Sequence, residues 1–137
     1  MVPATVLVAD GEPLIRWSIG ERLRAEGYDV LEAATGREAV ARFTEGADVV
    51  VLDLDLPDLD GLSVLTRLRE LNPDVRVVLL TANTGIASAA ETIKPGFPVA
   101  HKPFLLDDVT ALVEQALEGG DFPQHREKLR SLRVRMA

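Results

Sequence analysis

The feature that most constrains this chain is a fivefold alternation of short apolar runs with longer amphipathic segments. Runs rich in β-branched and aliphatic residues are typical of parallel strands that are buried on both faces of a sheet. Such runs occur at Thr5–Ala9, Tyr28–Ala33, Asp48–Leu52, Val75–Leu80 and, more weakly, Pro98–His101.

Each apolar run is followed by a segment with helical periodicity. In the first segment, Pro13 fits the opening helical turn and Gly27 marks the end. Between them, Ile15, Ile19 and Leu23 recur every four residues. The other predicted helices are Gly36–Phe43, Leu62–Leu71, Ile86–Ile93 and Leu106–Leu117. Strands that alternate with helices predict an α/β domain, a five-stranded parallel sheet with helices on both faces.

Polar residues at the carboxyl ends of the predicted strands define a candidate site. In an open α/β sheet, ligands bind beyond these ends, where the strand order reverses. In the flavodoxin-like order 2-1-3-4-5 the first and third strands are neighbours, so Asp10 and Asp53 would face each other. Thr81 and Lys102 would lie to one side. Close carboxylates repel each other unless a cation joins them or one is protonated, and oxygen ligands of this kind suit Mg²⁺.

The most specific stretch is Val49–Gly61, VVVLDLDLPDLDG, with four aspartates within eight residues. Two of them, Asp58 and Asp60, are interpreted as turn and helix-cap residues and not as metal ligands. Three further motifs accompany this stretch: VLVAD ending at Asp10, LLTA around Thr81 and HKPF around Lys102. Together they resemble the receiver domain of two-component response regulators, in the order and spacing of that family. The resemblance covers about residues 4–120.

The resemblance implies a role for each site residue. Asp53 would accept a phosphoryl group from a phosphohistidine on a sensor histidine kinase or phosphotransfer protein. Asp10, Asp53 and the main-chain carbonyl of Asp55 would hold Mg²⁺, while Thr81 and Lys102 would bind the phosphoryl oxygens. Metal, ammonium and hydroxyl groups position and neutralise a phosphoryl group during transfer. The domain would assist its own phosphorylation without being an enzyme.

The family pattern is kept at Lys102–Pro103, where a cis peptide bond is expected, and is broken at two other positions. Receivers usually carry two adjacent acids after the first strand, but Gly11 stands where the second, a direct metal ligand, is expected. Glu12 could replace that ligand, or it could be a plain first-turn acid favoured by the helix dipole. In the fifth strand, Val99 replaces an aromatic residue that turns inward on activation, and Phe97 could fill that role or only pack.

Three functions fit these residues, the first of them best. The first is a phosphorylatable receiver whose state at Asp53 is read by a partner. The second is a receiver-like interaction module with impaired Mg²⁺ binding and phosphorylation, which Gly11 and Val99 favour and the intact acceptor, threonine and lysine oppose. The third is a phosphohydrolase of the haloacid dehalogenase type, whose DxDx motif resembles residues 53–56. That family has Thr or Val at the position of Pro57.

Charge and composition set the broader expectations. Residues 1–120 contain 10 Lys and Arg against 20 Asp and Glu, a net charge of −10, which argues against direct nucleic-acid binding by this part of the chain. The chain has no cysteine. It also has no apolar stretch long enough to span a bilayer, so a cytoplasmic protein without a membrane partner is expected.

The division of the chain and its partner surfaces follow from the same reasoning. Residues 1–120 are the predicted receiver domain, and residues 121–137 form a tail with a net charge of +3. This tail is interpreted as a basic arm, a short dimerising helix or the start of a linker helix to an output domain outside this chain. The resemblance also implies a homodimer through the fourth helix, fifth strand and fifth helix. Trp17 lies off the apolar stripe of the first helix, where it could serve kinase docking or edge packing.

Overall fold

In a computed structural model, residues 3–118 are described, and they form five strands and five helices in strict alternation. The elements are β1 Thr5–Ala9, α1 Pro13–Ala25, β2 Asp29–Ala33, α2 Gly36–Phe43, β3 Val49–Asp53, α3 Gly61–Leu71, β4 Val77–Thr81, α4 Thr84–Ile93, β5 Val99–His101 and α5 Leu106–Glu118. Every predicted element is present, with ends that differ by one or two residues at several places.

The largest shift of a helix end is at α4, which begins at Thr84, two residues before the predicted Ile86. The reason is a helix cap: the side chain of Asn83 accepts hydrogen bonds from the N–H groups of Gly85 (2.8 Å) and Ile86 (3.2 Å). A side-chain oxygen that satisfies these donors lets the helix start before its first large apolar residue.

The five strands form one parallel sheet in the order β2-β1-β3-β4-β5, which confirms the predicted topology. The chain runs outward from β1 to β2, returns across β1 to β3, and then continues to the other edge. The order therefore reverses between β1 and β3. Ala9 lies opposite Leu52 in the register of these two strands, so both strands end at the same level.

Alternate residues of the central strands feed two separate cores. On one face of the sheet, Leu7, Val50, Leu52 and Leu79 pack with α2, α3 and α4. On the other, Val8, Val49, Val51 and Leu80 pack with Ile19 and Leu23 of α1 and with Val109 and Val113 of α5. Burial of each such side chain contributes about 1.5–3 kcal/mol, so strands flanked on both faces provide a rigid base for the loops at their carboxyl ends.

The described residues end within the predicted receiver domain, and the predicted tail at 121–137 lies outside them. Within residues 3–118, none of the helices combines the length and the apolar character needed to cross a membrane. The cytoplasmic location stays a prediction.

Candidate functional site

Two carboxylates lie side by side at the point where the strand order reverses. Asp10 directly follows β1, and Asp53 is the last residue of the neighbouring β3. Asp10 is 0% and Asp53 is 1% exposed, so both are removed from bulk water. The prediction that these two residues face each other is confirmed, since a single lysine amine contacts both.

That amine belongs to Lys102, which follows β5. Its Nζ lies 3.0 Å from Asp53 Oδ2, 3.3 Å from Asp10 Oδ2 and 3.3 Å from Glu12 Oε1. The main-chain N–H of Lys102 donates to the carbonyl of Thr81 (2.8 Å), which ties the lysine to the end of β4. The bond from Lys102 to the following proline is cis, as the sequence predicts. One ammonium group thus partly neutralises three carboxylates.

The pKa values at the site reflect this crowding. Burial raises the pKa of Asp10 from 3.8 to about 6; the hydrogen bond from the Glu12 N–H (2.8 Å) opposes the rise, and the charge of Asp53 adds to it. For Lys102, burial favours a lower pKa. Hydrogen bonding to Asp53 and the charges of Asp10 and Asp53 outweigh burial and hold the lysine pKa above its ordinary value.

We expect the metal-free Asp10→Asn variant to be more stable than the parent protein at pH 7–8. A carboxylate whose pKa is higher in the folded than in the unfolded state binds more protons when folded, so its ionisation costs stability as pH rises from about 4 to about 6. A shift of this size corresponds to a gain of at most about 3 kcal/mol. The lost ion pair with Lys102 reduces that gain.

Urea unfolding in the presence of a chelator, carried out from pH 4 to pH 8, measures the effect of the Asp10→Asn substitution on stability. The advantage of the Asn variant should shrink as pH falls through 6, because the parent Asp10 then takes up its proton. An advantage that stays constant across this range would show that ionisation of Asp10 is not its cause.

Local hydrogen bonds hold both carboxylates in place. Asp53 Oδ1 accepts from the N–H of Asp55 (2.9 Å), and Asp10 Oδ1 accepts from the N–H of Glu12 (2.8 Å). The guanidinium of Arg16 donates to the main-chain carbonyl of Asp10 (2.8 Å), a contact that the sequence analysis missed. Arg16 lies on the first turn of α1, six residues after Asp10. No residue pattern indicates that its side chain contacts the Asp10 carbonyl.

The donor set fits a hard divalent cation such as Mg²⁺. Asp10 Oδ2 is fully buried and accepts no hydrogen bond within the described residues, although Lys102 Nζ lies 3.3 Å away. Two carboxylates, one of which has a buried oxygen without a hydrogen bond from the described residues, suit an ion that keeps several waters. Within residues 3–118, however, no group of three Asp, Glu, His or Cys side chains is arranged so that it could hold a metal ion. Glu12 points at Lys102, with its side chain 64% exposed.

Gly11 is closely packed despite lacking a side chain. A Cβ added to Gly11 would lie 3.0 Å from Pro57 Cδ and 3.7 Å from the carbonyl oxygen of Ala34. The ring of Pro57 therefore occupies part of the space that a side chain at position 11 would need. A larger residue here requires the β3–α3 loop to shift by a few tenths of an ångström.

Thr81 lies at the end of β4 and is fully buried. Its hydroxyl accepts a hydrogen bond from the main-chain N–H of Asn83 (2.9 Å) and lies 3.3 Å from the carbonyl of the same residue. Since the Asn83 side chain caps α4, one residue links the Thr81 hydroxyl to the start of that helix. Thr81 is predicted from the sequence, whereas Asn83 is not, although an asparagine before a helical segment is a cap signal.

Four further predicted residues lie in two places. Asp58 and Asp60 serve as helix caps, as predicted, with Asp60 accepting from the N–H of Ser63 (2.8 Å). Val99 is partly buried against the core shared with α4, and Phe97 packs on the same core, with Lys94 Nζ 5.5 Å from its ring centre. Phe97 therefore has a packing role here.

The outer surface of α1 is apolar in part. Trp17 is 57% and Leu14 is 73% exposed, so less than half of the Trp17 surface is covered by packing at the edge of the domain. An exposed tryptophan and leucine one turn apart form a surface that suits contact with another protein.

Comparison with known proteins identifies the family. The family model described as "Response regulator receiver domain" matches residues 6–114. The curated "Probable transcriptional regulatory protein TcrX" of Mycobacterium tuberculosis is 40% identical over 109 residues, which cover 78% of this chain and 47% of that protein. The transcriptional regulatory protein TrcR of the same organism is 38% identical over 111 residues, 80% of this chain and 43% of that protein. The chain thus spans less than half the length of these relatives.

Solved structures agree with this assignment. The response regulator TrrA of Thermotoga maritima, solved in complex with Mg²⁺ and BeF, has a TM-score of 0.74 and 32% identity, covering 82% of this chain and 98% of that one. A CheY-like receiver domain protein of Methanospirillum hungatei has a TM-score of 0.80 and covers 91% of this chain and 98% of that one; at 24% identity it supports the fold alone. On this basis, the chain belongs to the family of response regulator receiver domains.

Proposed function

We propose that this receiver domain takes up a phosphoryl group on Asp53 from a phosphohistidine of a sensor histidine kinase or phosphotransfer protein, with Mg²⁺ as cofactor. The observation that carries the proposal is the contact of Lys102 Nζ with both Asp53 and Asp10 in a buried site at the reversal of strand order. Phosphorylation on aspartate is general for the family. Asp53 lies at the end of β3, and its Oδ1 accepts a hydrogen bond from the Asp55 N–H.

In the transfer, a carboxylate oxygen of Asp53 forms a bond to phosphorus as the bond from phosphorus to the donor imidazole nitrogen breaks. The imidazole keeps the electron pair of the broken bond. Lys102 is placed to move from the carboxylates to the phosphoryl oxygens, and the Thr81 hydroxyl to exchange its bond with Asn83 for one to the same group. Mg²⁺ bound by Asp10, Asp53 and the main chain of Asp55 would neutralise the charge on the phosphoryl oxygens.

The experiment that tests this function is incubation with acetyl phosphate and Mg²⁺, read by intact mass spectrometry. We expect one phosphoryl group per chain. In parallel, para-nitrophenyl phosphate should not be turned over repeatedly, because the domain is a phosphoacceptor that assists its own phosphorylation and not an enzyme. The haloacid dehalogenase alternative is set aside because the chain belongs to the receiver family. Many turnovers per chain would reinstate it.

A receiver-like interaction module is the second candidate. Gly11 favours it, because within the described residues no third carboxylate completes the pair formed by Asp10 and Asp53. This candidate differs in one measurable respect: it takes up no phosphoryl group at millimolar Mg²⁺ and acetyl phosphate, yet still binds its partner.

The proposed contact with a kinase rests on α1, and the proposed output domain rests on the longer relatives. Receiver domains interact with histidine kinases, and the curated relatives are transcriptional regulators more than twice as long as the matched region. We propose that the exposed Leu14 and Trp17 contribute to the kinase-facing surface. An output domain outside this chain would carry the regulatory activity.

We expect phosphorylation to favour self-association through α4, β5 and α5. Ile86, Ile93 and Val99 are only partly buried against the core and leave part of their apolar surface on this face. Analytical ultracentrifugation with and without beryllofluoride and Mg²⁺ measures the effect, and the molar mass should rise towards that of a dimer. An unchanged molar mass would contradict the proposal and would fit the absence of an aromatic residue at Val99.

A further inference from the structure

Asp58 connects two loops that are far apart in sequence. It lies in the β3–α3 loop, five residues after the acceptor Asp53, yet its carboxylate caps α2. Asp58 Oδ1 accepts from the N–H of Gly36 (2.6 Å) and Oδ2 from the N–H of Arg37 (3.2 Å). The hydrogen bond from Gly36 is the main cause that holds the pKa of Asp58 below its ordinary value.

The cap is complete only because two residues share it. The first N–H groups of a helix have no partner within the helix. In α2, Thr35 Oγ1 satisfies the N–H of Glu38 (3.1 Å), whereas those of Gly36 and Arg37 depend on Asp58. The negative charge at this end is also favourable to the helix dipole.

Close packing supports the same junction. A Cβ added to Gly36 would lie 2.8 Å from Val64 Cγ2 and 3.0 Å from Leu59 Cβ, so the start of α2 sits directly against the β3–α3 loop and α3. Only a residue without a side chain allows this approach. On the other side of the loop, Pro57 packs on Gly11.

The loop held in this way carries groups of the proposed phosphorylation site. Asp55 lies three residues before Asp58, and its N–H donates to Asp53 Oδ1 (2.9 Å). The loop is closed at its base by the hydrogen bond from the N–H of Gly61 to the carbonyl of Leu54 (3.1 Å). Between these two contacts, Asp58 is the side chain that ties the loop to another element through charge-assisted bonds.

We propose that Asp58 is a positioning residue: by clamping the β3–α3 loop onto the start of α2, it fixes the main chain at Asp55 and so the geometry in which Asp53 and Mg²⁺ meet. The inference rests on the proposed function for its metal part. The clamp itself is a property of the metal-free protein and is testable there.

The test compares Asp58→Ala and Asp58→Asn with the parent protein. Without metal, amide hydrogen exchange should become faster at Gly36 and Arg37 and also at Asp55. If Asp58 only capped α2, exchange at Asp55 would not change. Calorimetric titration should show Mg²⁺ binding weakened on the order of tenfold in Asp58→Ala, a loss typical of outer groups that orient metal ligands. Asp58→Asn keeps one carboxylate-like oxygen and should lie between Ala and the parent.

Two matched controls separate positioning from simpler effects. Asp60→Asn removes the same charge from the same loop but affects the cap of α3. Thr35→Ala weakens the cap of α2 without touching the loop. Both should leave Asp55 exchange and Mg²⁺ affinity as in the parent. An equal effect of Asp60→Asn would overturn the proposal, because loss of any negative charge from the loop would then explain the result. An equal effect of Thr35→Ala would also overturn it, because fraying of α2 would then be the cause.

The outcomes also distinguish this inference from the proposed function. If the parent is phosphorylated at Asp53 while Asp58→Ala leaves Asp55 exchange and Mg²⁺ affinity unchanged, the clamp is wrong and the function stands. If Asp58→Ala speeds exchange at Asp55 but the parent neither binds Mg²⁺ nor takes up phosphoryl groups, the clamp stands and the proposed function fails.

Discussion

Asp53→Asn is expected to abolish phosphoryl uptake from acetyl phosphate, whereas Asp55→Asn should retain it. Asparagine keeps the oxygen that accepts from the Asp55 N–H, and so keeps the local geometry, but it removes the nucleophilic carboxylate. The side chain of Asp55 is exposed, and its observed contribution to the site is its main-chain N–H, which substitution by asparagine does not change. Intact mass spectrometry in the presence of Mg²⁺ gives the stoichiometry, and peptide mapping gives the position.

Asp55→Asn is the matched control for this loss, because it makes the same chemical change two residues away. Both variants should show the parent's cooperative unfolding, so that loss of uptake cannot be ascribed to loss of fold. Phosphoryl groups found on Asp55 or Asp58 in place of Asp53 would overturn the assignment of the acceptor. Uptake that persists in Asp53→Asn at the parent's rate would remove the proposed function altogether.

The sequence predicted the site as far as topology determines it. Asp10 and Asp53 end two strands whose side chains are apolar on both faces, and such strands occupy the middle of a parallel sheet. Once the alternation of strands and helices sets the order, the carboxyl ends of neighbouring strands must meet. Lys102 follows the fifth strand and reaches the same edge by the same logic.

Contacts between loops could not be predicted in this way. Asp58 and Gly36 are 22 residues apart, and nothing in either segment signals that one caps the other. The sequence indicates that Asp58 is a turn or cap residue, which is correct, but it does not indicate which helix Asp58 caps. Likewise, Glu12 pointing at Lys102 and the ring of Pro57 packing on Gly11 depend on how three loops fit together, which no periodicity encodes.

Gly11→Asp is expected to raise the affinity for Mg²⁺ by on the order of tenfold, since affinity rises with the charge and number of oxygen ligands. The new carboxylate would extend the pair formed by Asp10 and Asp53, since no group of three acidic side chains among residues 3–118 is arranged to hold a metal ion. Its Cβ must displace Pro57 Cδ from 3.0 Å, which requires a small shift of the loop and reduces the gain. Without metal, the variant should be less stable than the parent, because another carboxylate would raise the pKa of Asp10 further.

Gly11→Asn is the matched control, because it has the shape of aspartate and presses on Pro57 equally but adds no charge. If the added ligand acts through its charge, Mg²⁺ should bind Gly11→Asp much more tightly than Gly11→Asn in calorimetric titration. The Asn variant should then show only the steric cost, as a lower unfolding midpoint with little change in affinity.

Glu12→Gln decides what the parent uses in place of the missing ligand. Glu12 is held by Lys102 at 3.3 Å in the structure, so it would have to leave that contact to bind a metal. If Glu12 has replaced the ligand, Glu12→Gln should weaken Mg²⁺ binding sharply in the parent and much less in the Gly11→Asp background. If Glu12 only pairs with Lys102, the change should be small in both backgrounds. Equal Mg²⁺ affinity of the parent and Gly11→Asp would show that the site lacks no ligand at Gly11. The loop that packs on the glycine would then already supply the oxygen ligands that Mg²⁺ needs.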